Sequence, residues 1–215
     1  MQDDLAARFT RLRQLHVGIL VFPEVEVLDF AGPFEAFSVA ARIHAAALGT
    51  PPFRVSIVGA SDAPVRARHG LGVVPHHSYE DAGAVDLLIV PGGVVTGVLE
   101  DQAALRWVEE TARGAALVAS VCTGAFVLAR LGMLDGLAAT THWEDAALLQ
   151  ERHPGLRVVR DTPYVDNGRI VTSAGISAGI DMSLHLVGRV LGRAGAQATA
   201  RQMEYAVRAL PKPQG

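Results

Sequence analysis

The chain has 215 residues, of which 50% are hydrophobic and 19% charged, with a formal net charge of -3. That is the make-up of one ordinary globular domain, residues 1–215, and it gives no electrostatic case for nucleic acid or an anionic membrane as partner. No apolar run approaches the roughly 18 residues of a membrane span, and the single cysteine, Cys122, excludes an internal disulfide. Residues 1–15 read as a short polar lead without the apolar core of a signal peptide, so the expected location is cytoplasmic. His16 to Phe22 is a compact apolar run closed by Pro23 and predicts a buried strand. Helical spacing follows over Phe34 to Ile43, with Pro33 suited to the first helical turn. Phe53 to Gly59 predicts a second strand and Val85 to Val90 a third, closed by Pro91-Gly92-Gly93. Asp101 to Arg113 predicts a helix, Ala116 to Val121 a strand, and Ala125 to Leu134 the helix after it. Thr141 opens a helix running to about Arg152. Arg157 to Arg160 and Arg169 to Ser173 read as strands joined through a turn at Asp166-Asn167-Gly168. Ser177 caps an apolar helix to about Leu191, and Ala196 to Val207 is the last helix.

Strands that are apolar throughout and alternate with helices predict an α/β protein, a mostly parallel sheet sandwiched by helices. Ligands of such sheets bind beyond the carboxyl ends of the strands. Three turns meet there: the one after Phe22, the one at Gly92-Gly93, and the one at Cys122.

Cys122 stands where a buried strand breaks into a helix, with Ser120 and Gly124 as small neighbours. The same geometry exposes the serine of a nucleophile elbow. The helix N-terminus there favours the thiolate, the form that attacks electrophiles. The alternative is that Cys122 is simply a small buried hydrophobe. Asp29, in Leu28-Asp29-Phe30-Ala31-Gly32-Pro33, is either a helix-end carboxylate or an acid/base in the same cleft, its pKa raised by apolar neighbours. Glu24 and Glu26 are its nearby rivals. Gly92 and Gly93 form either a tight turn or a pair of amides for an anion.

Thr141-x-x-Glu144 fits a capping box, and His142 inside it is read as an ordinary histidine more readily than as a cleft residue. His76 and His77 are adjacent and point apart. No clustered His and Cys spacing calls for a metal. The only lysine, Lys212, sits in a Pro-rich tail, which excludes Schiff-base and P-loop chemistry.

Together these segments resemble the DJ-1/PfpI superfamily, the class I glutamine-amidotransferase-like group with a flavodoxin-like fold. The matching segments are Val17 to Pro23, Leu28-Asp29-x-x-Gly32-Pro33, Ile89 to Gly93, Ser120-Val-Cys122-Thr123-Gly124, Ala139 to Trp143 and Thr172 to Asp181. They span about residues 16–207. Within the superfamily the likeness is to the isocyanide-hydratase branch, which carries an aspartate, here Asp29, where many members have a glutamate. Protease-like members place histidine after the nucleophile; here Thr123 stands there.

The resemblance implies a cofactor-free lyase acting on a small molecule, as a homodimer. Cys122 adds to the terminal carbon of an isocyanide, and Asp29 delivers a proton and then directs water, giving an N-formamide through a thioimidate. Thr123 orients the cysteine, the amides of Gly92 and Gly93 stabilise charge, and Ile176 lies against the site. Phe30, Phe34 and Val94 are expected to shape the pocket. Two other functions remain open. One is a ligand or redox sensor related to the sensing part of AraC-type regulators; the other is glyoxalase- or chaperone-like activity.

Overall fold

A computed structural model describes residues 4–207, so Lys212 and the first three residues of the polar lead lie outside it. The strands are β1 (Leu15–Leu20), β2 (Phe53–Gly59), β3 (Val65–Arg66), β4 (Gly72–Val73), β5 (His77–Ser78), β6 (Leu87–Val90), β7 (Leu117–Val121), β8 (Ala138–Ala139), β9 (Arg157–Val158), β10 (Tyr164–Asp166) and β11 (Ile170–Ser173). The helices are α1 (Leu5–Leu12), α2 (Val27–Leu48), α3 (Thr96–Glu100), α4 (Gln102–Gly114), α5 (Gly124–Arg130), α6 (Ala146–Arg152) and α7 (Ala178–Gln202).

One sheet dominates, in the order β10-β11-β7-β6-β1-β2-β5. Every neighbouring pair in it is parallel except β10 and β11. The central strands are buried along their whole length, Leu87 to Val90 and Leu117 to Val121 included. That is what covering both faces of a parallel sheet requires. Each fully buried Leu or Ile there contributes ~1.5–3 kcal/mol, so the strand ends stand on a stiff base. Helices α1 and α2 pack against α7, and α3 packs against both α4 and α5. The predicted mostly parallel, helix-flanked sheet is therefore the observed one.

Local boundaries differ in several places. The polar lead contains a full helix, α1, which buries Leu5 and Phe9. Helix α2 begins at Val27, so Pro33 lies inside it and Asp29 sits in its first turn, not in a loop before it. A proline at residue 33 cannot donate to the carbonyl four residues back, which is that of Asp29. Arg157 and Val158 pair with β8 in a separate ribbon, and the antiparallel partner of β11 is instead Tyr164–Asp166. As predicted, the C-terminal helical span is two segments: α7 is broken at Gly192, whose φ of 75° and ψ of 170° are not helical.

Candidate active site

Cys122 directly follows β7 with φ 56°, a left-handed conformation that costs a non-glycine residue energy. Bonds on both sides hold it: its amide donates to the Ser173 carbonyl at 3.1 Å, and Thr141 Oγ1 donates to its own carbonyl at 2.8 Å. Thr141 is thereby removed from the capping-box role its spacing suggests, and no side chain caps the helical turn at Trp143–Asp145.

The two other turns are stitched to this one. Glu26 donates its amide to the Gly92 carbonyl at 2.9 Å, and Val94 to the Glu24 carbonyl at 3.0 Å. Thr123 Oγ1 donates to the Gly93 carbonyl and accepts from the Gly93 amide, both at 2.9 Å; a hydroxyl can do both at once. The Gly92 amide donates to Asp29 Oδ2 at 3.1 Å. A β-carbon on Gly92 would lie 2.5 Å from Thr123 Oγ1 and 2.9 Å from Asp29 Oδ2. Only glycine lets the two side chains close in on that backbone.

Both glycine amides thus have partners. Expected as anion donors, in this geometry they fix Asp29 and Thr123. Ile176 is exposed in the loop before α7, one residue from Gly175, whose absent side chain makes room for Cys122 Sγ. Glu26 pairs with Arg68 at 3.1 Å, and Glu24 lies exposed on the surface. Phe30 belongs to the buried core, Phe34 stacks on His76, and Val94 is exposed.

Asp29 is 0% exposed and Cys122 6%. Burial pushes the Asp29 carboxyl up to about 7, against the opposing pull of the Gly92 amide and the Cys122 thiol. Burial also raises the Cys122 thiol, and the Asp29 charge raises it further, while the Thr123 amide pulls it down. The sequence suggests a thiolate favoured by a helix N-terminus. The structure favours the protonated thiol instead, because burial and then the Asp29 charge raise it, and α5 is a helix of only 7 residues.

The thiol and the carboxyl lie within side-chain hydrogen-bonding reach, yet Asp29 Oδ1 is buried with no well-aligned partner among the described residues. The arrangement can move one proton between sulfur and a third atom placed beside them.

His142, read in the sequence as an ordinary histidine, lies beside the thiol on the Gly175 side. Its Cδ2 and Cys122 Sγ are 2.5 and 2.8 Å from one point, the place a β-carbon on Gly175 would occupy. The competing capping-box reading hid it, as it hid Thr141; no signal in the sequence marks Gly175. A cleft of about 450 Å³ is bounded by Thr141, Trp143, Arg160, Pro163 and Ala174. No group of three or more metal-ligating side chains exists among the described residues.

A mostly parallel sheet whose strand-to-helix elbow presents a cysteine beside a buried carboxyl defines a class of thiol-centred α/β proteins. The sequence matches the DJ-1/PfpI family over residues 16–189, and the chain belongs to that family. It is 36% identical over 193 residues to isonitrile hydratase of Pseudomonas putida, covering 89% of this chain and 79% of that one. It is 34% identical over 173 residues to the HTH-type transcriptional regulator CdhR of Pseudomonas aeruginosa, covering 80% of this chain. There it spans only 50% of the relative's length. A crystal structure of a THiJ/PfpI family protein from Pseudomonas syringae superposes with a TM-score of 0.79 at 25% identity, over 94% of this chain and 79% of that one.

Proposed function

We propose that the chain hydrates an isocyanide to an N-formamide, with Cys122 as nucleophile and Asp29 as the proton carrier. The observation that carries this reading is the buried Asp29 carboxyl, poised near neutrality within reach of the only thiol. The likeness to isonitrile hydratase supports the choice of substrate, as does Thr123 at the place where a protease-like arrangement needs histidine.

Near pH 7 the thiol is protonated and Asp29 is ionised in a part of the molecules, which are the reactive ones. Asp29 accepts the proton from sulfur as sulfur bonds to the terminal carbon of R–N≡C, so the high thiol pKa is no obstacle. The electron pair left on that carbon takes the proton back from Asp29, giving the thioimidate R–N=CH–S. Water then adds to the carbon and the C=N electrons move to nitrogen, which is protonated. The C–S bond breaks and R–NH–CHO leaves. Thr123, locked to Gly93, sets the position of the elbow; Gly92 sets that of Asp29.

A second reading, ligand sensing without turnover, is favoured by the likeness to the regulator. Incubation with cyclohexyl isocyanide and detection of N-cyclohexylformamide separates the two. Wild type is expected to form product and Cys122→Ala none. Binding without product in wild type would favour the sensor, and product from the alanine variant would end the covalent mechanism.

A further inference from the structure

Hydrolysis of the thioimidate needs a group that takes a proton from water at the carbon attached to Sγ. The family resemblance gives that step to Asp29. Yet Asp29 is 0% exposed, with Oδ2 held by the Gly92 amide close to Thr123. It is well placed to pass a proton between sulfur and carbon and poorly placed to receive water from solvent.

The Gly175 side of the thiol offers another base. The His142 side chain is 17% exposed, so it spans the distance between bulk water and the thiol. Its Nδ1 lies 3.6 Å from Asp145 Oδ2 and 3.7 Å from Glu144 Oε2. Its Cδ2, the ring neighbour of Nε2, shares with Cys122 Sγ the space left by the missing side chain of Gly175. Asp145 is near enough for its charge to raise the Cys122 thiol. A ring with carboxylates near one nitrogen and the edge that carries the other beside the reacting sulfur suits a general base.

We propose that His142, oriented by Asp145, is the base that activates water in the second half-reaction, which divides the work between two residues. The inference rests on the hydratase reading. Nε2 accepts a proton as the water oxygen bonds to the thioimidate carbon and the C=N electron pair moves to nitrogen. The imidazolium returns that proton to nitrogen. The hydroxyl of R–NH–CH(OH)–S then gives its proton to Asp29 as the C–S bond breaks, and Asp29 passes it to sulfur.

The test is rapid-quench mass spectrometry of the intact protein with cyclohexyl isocyanide. His142→Gln should form the Cys122 adduct at nearly the wild-type rate. Loss of that adduct should slow ~10²–10⁴-fold, the usual contribution of a general base, so that the adduct becomes the dominant species at steady state. Unimpaired adduct formation itself reports an intact fold. His142→Ala with added imidazole supplies the second measurement: recovery of adduct hydrolysis supports the base, because a merely structural histidine is not rescued that way. Hydrolysis in His142→Gln within threefold of wild type overturns this role and leaves the hydratase reading standing. A wild-type protein that yields neither adduct nor formamide overturns both.

Discussion

The two ends of the sheet each bury a titratable side chain beside a hydroxyl or thiol, and they treat it in opposite ways. At the amino-terminal edge, His16 stands on β1 with Nδ1 2.8 Å from the Ala84 carbonyl and Nε2 2.5 Å from Ser56 Oγ. A neutral ring with its proton on Nδ1 satisfies both contacts, and Arg54, 2.9 Å from that nitrogen, adds a cation that disfavours the imidazolium. At the carboxyl edge, Asp29 Oδ1 and Ser120 Oγ are buried without partners among the described residues, and Cys122 is held at a positive φ. A buried polar cluster whose atoms are paired stabilises a fold, whereas one left partly unpaired stores energy that a ligand can release. The histidine–serine pair resembles a catalytic dyad in its spacing, but it is closed and satisfied. The cysteine–aspartate pair is the open one.

The largest effect expected on this contrast comes from Asp29→Asn. An amide keeps the shape and the contact with the Gly92 amide but cannot carry the proton, so kcat for formamide production should fall ~10²–10⁴-fold. Stability should move the other way. The folded carboxyl sits at about 7 against an ordinary value of 3.8, so its contribution is complete below 3.8 and is lost as pH rises through 7. At 1.36 kcal/mol per unit the loss is at most ~4 kcal/mol. Denaturant titrations of both proteins from pH 4 to 8 should show the variant gaining on wild type as pH rises. A constant difference across that range would mean the carboxyl is not held near neutrality, and wild-type activity with an unchanged kcat in the variant would remove Asp29 from the mechanism.

The meeting of Asp29 with Cys122 could be read from the chain because it depends on topology: apolar parallel strands place the turns that follow them at one edge. The start of α2 could not. Gly32 and Pro33 look like a break, and what carries the helix through them is packing, since a β-carbon on Gly32 would press on Ile180 of α7 at 2.9 Å. The role of Thr141 was equally hidden, because its spacing to Glu144 satisfies a local rule while its hydroxyl is taken by the Cys122 carbonyl, 19 residues away in sequence. Strand β10 has only 3 residues, too few for a period to show. What the sequence hid was each case in which a distant contact outbid a local preference.

His16→Ala tests the other side of the contrast. It removes a buried ring and leaves Ser56 Oγ and the Ala84 carbonyl without their partner, so the fold should lose ~2–4 kcal/mol, read from denaturant midpoints. The kcat for an isocyanide should stay within twofold, because nothing at this edge touches the thiol. The pH signature is also opposite in sign to that of Asp29. Burial lowers the folded pKa of His16 below 6.5, so its contribution is present above 6.5 and is lost as pH falls towards the folded value. The variant should lack that acid-side slope. A kcat reduced as far as in Asp29→Asn would dissolve the distinction between a closed cluster and an open one.

The smallest effect is the most direct measure of unpaired burial. Ser120 lies on β7 with its side chain 0% exposed, two residues before the nucleophile, and its Oγ has no partner among the described residues. Its carbonyl, by contrast, accepts from Ser173 Oγ at 3.3 Å, a bond that a change of side chain leaves in place. Ser120→Ala removes a desolvated hydroxyl and little volume. Burying an unmatched hydroxyl costs about 1–3 kcal/mol, of which the lost packing of one oxygen returns a part, so the variant should be as stable as wild type or up to ~1 kcal/mol more stable. The thermal midpoint at fixed pH measures this. A loss of more than 1 kcal/mol would mean that the hydroxyl is held by water, and the carboxyl edge would then be strained only at Cys122 and Asp29.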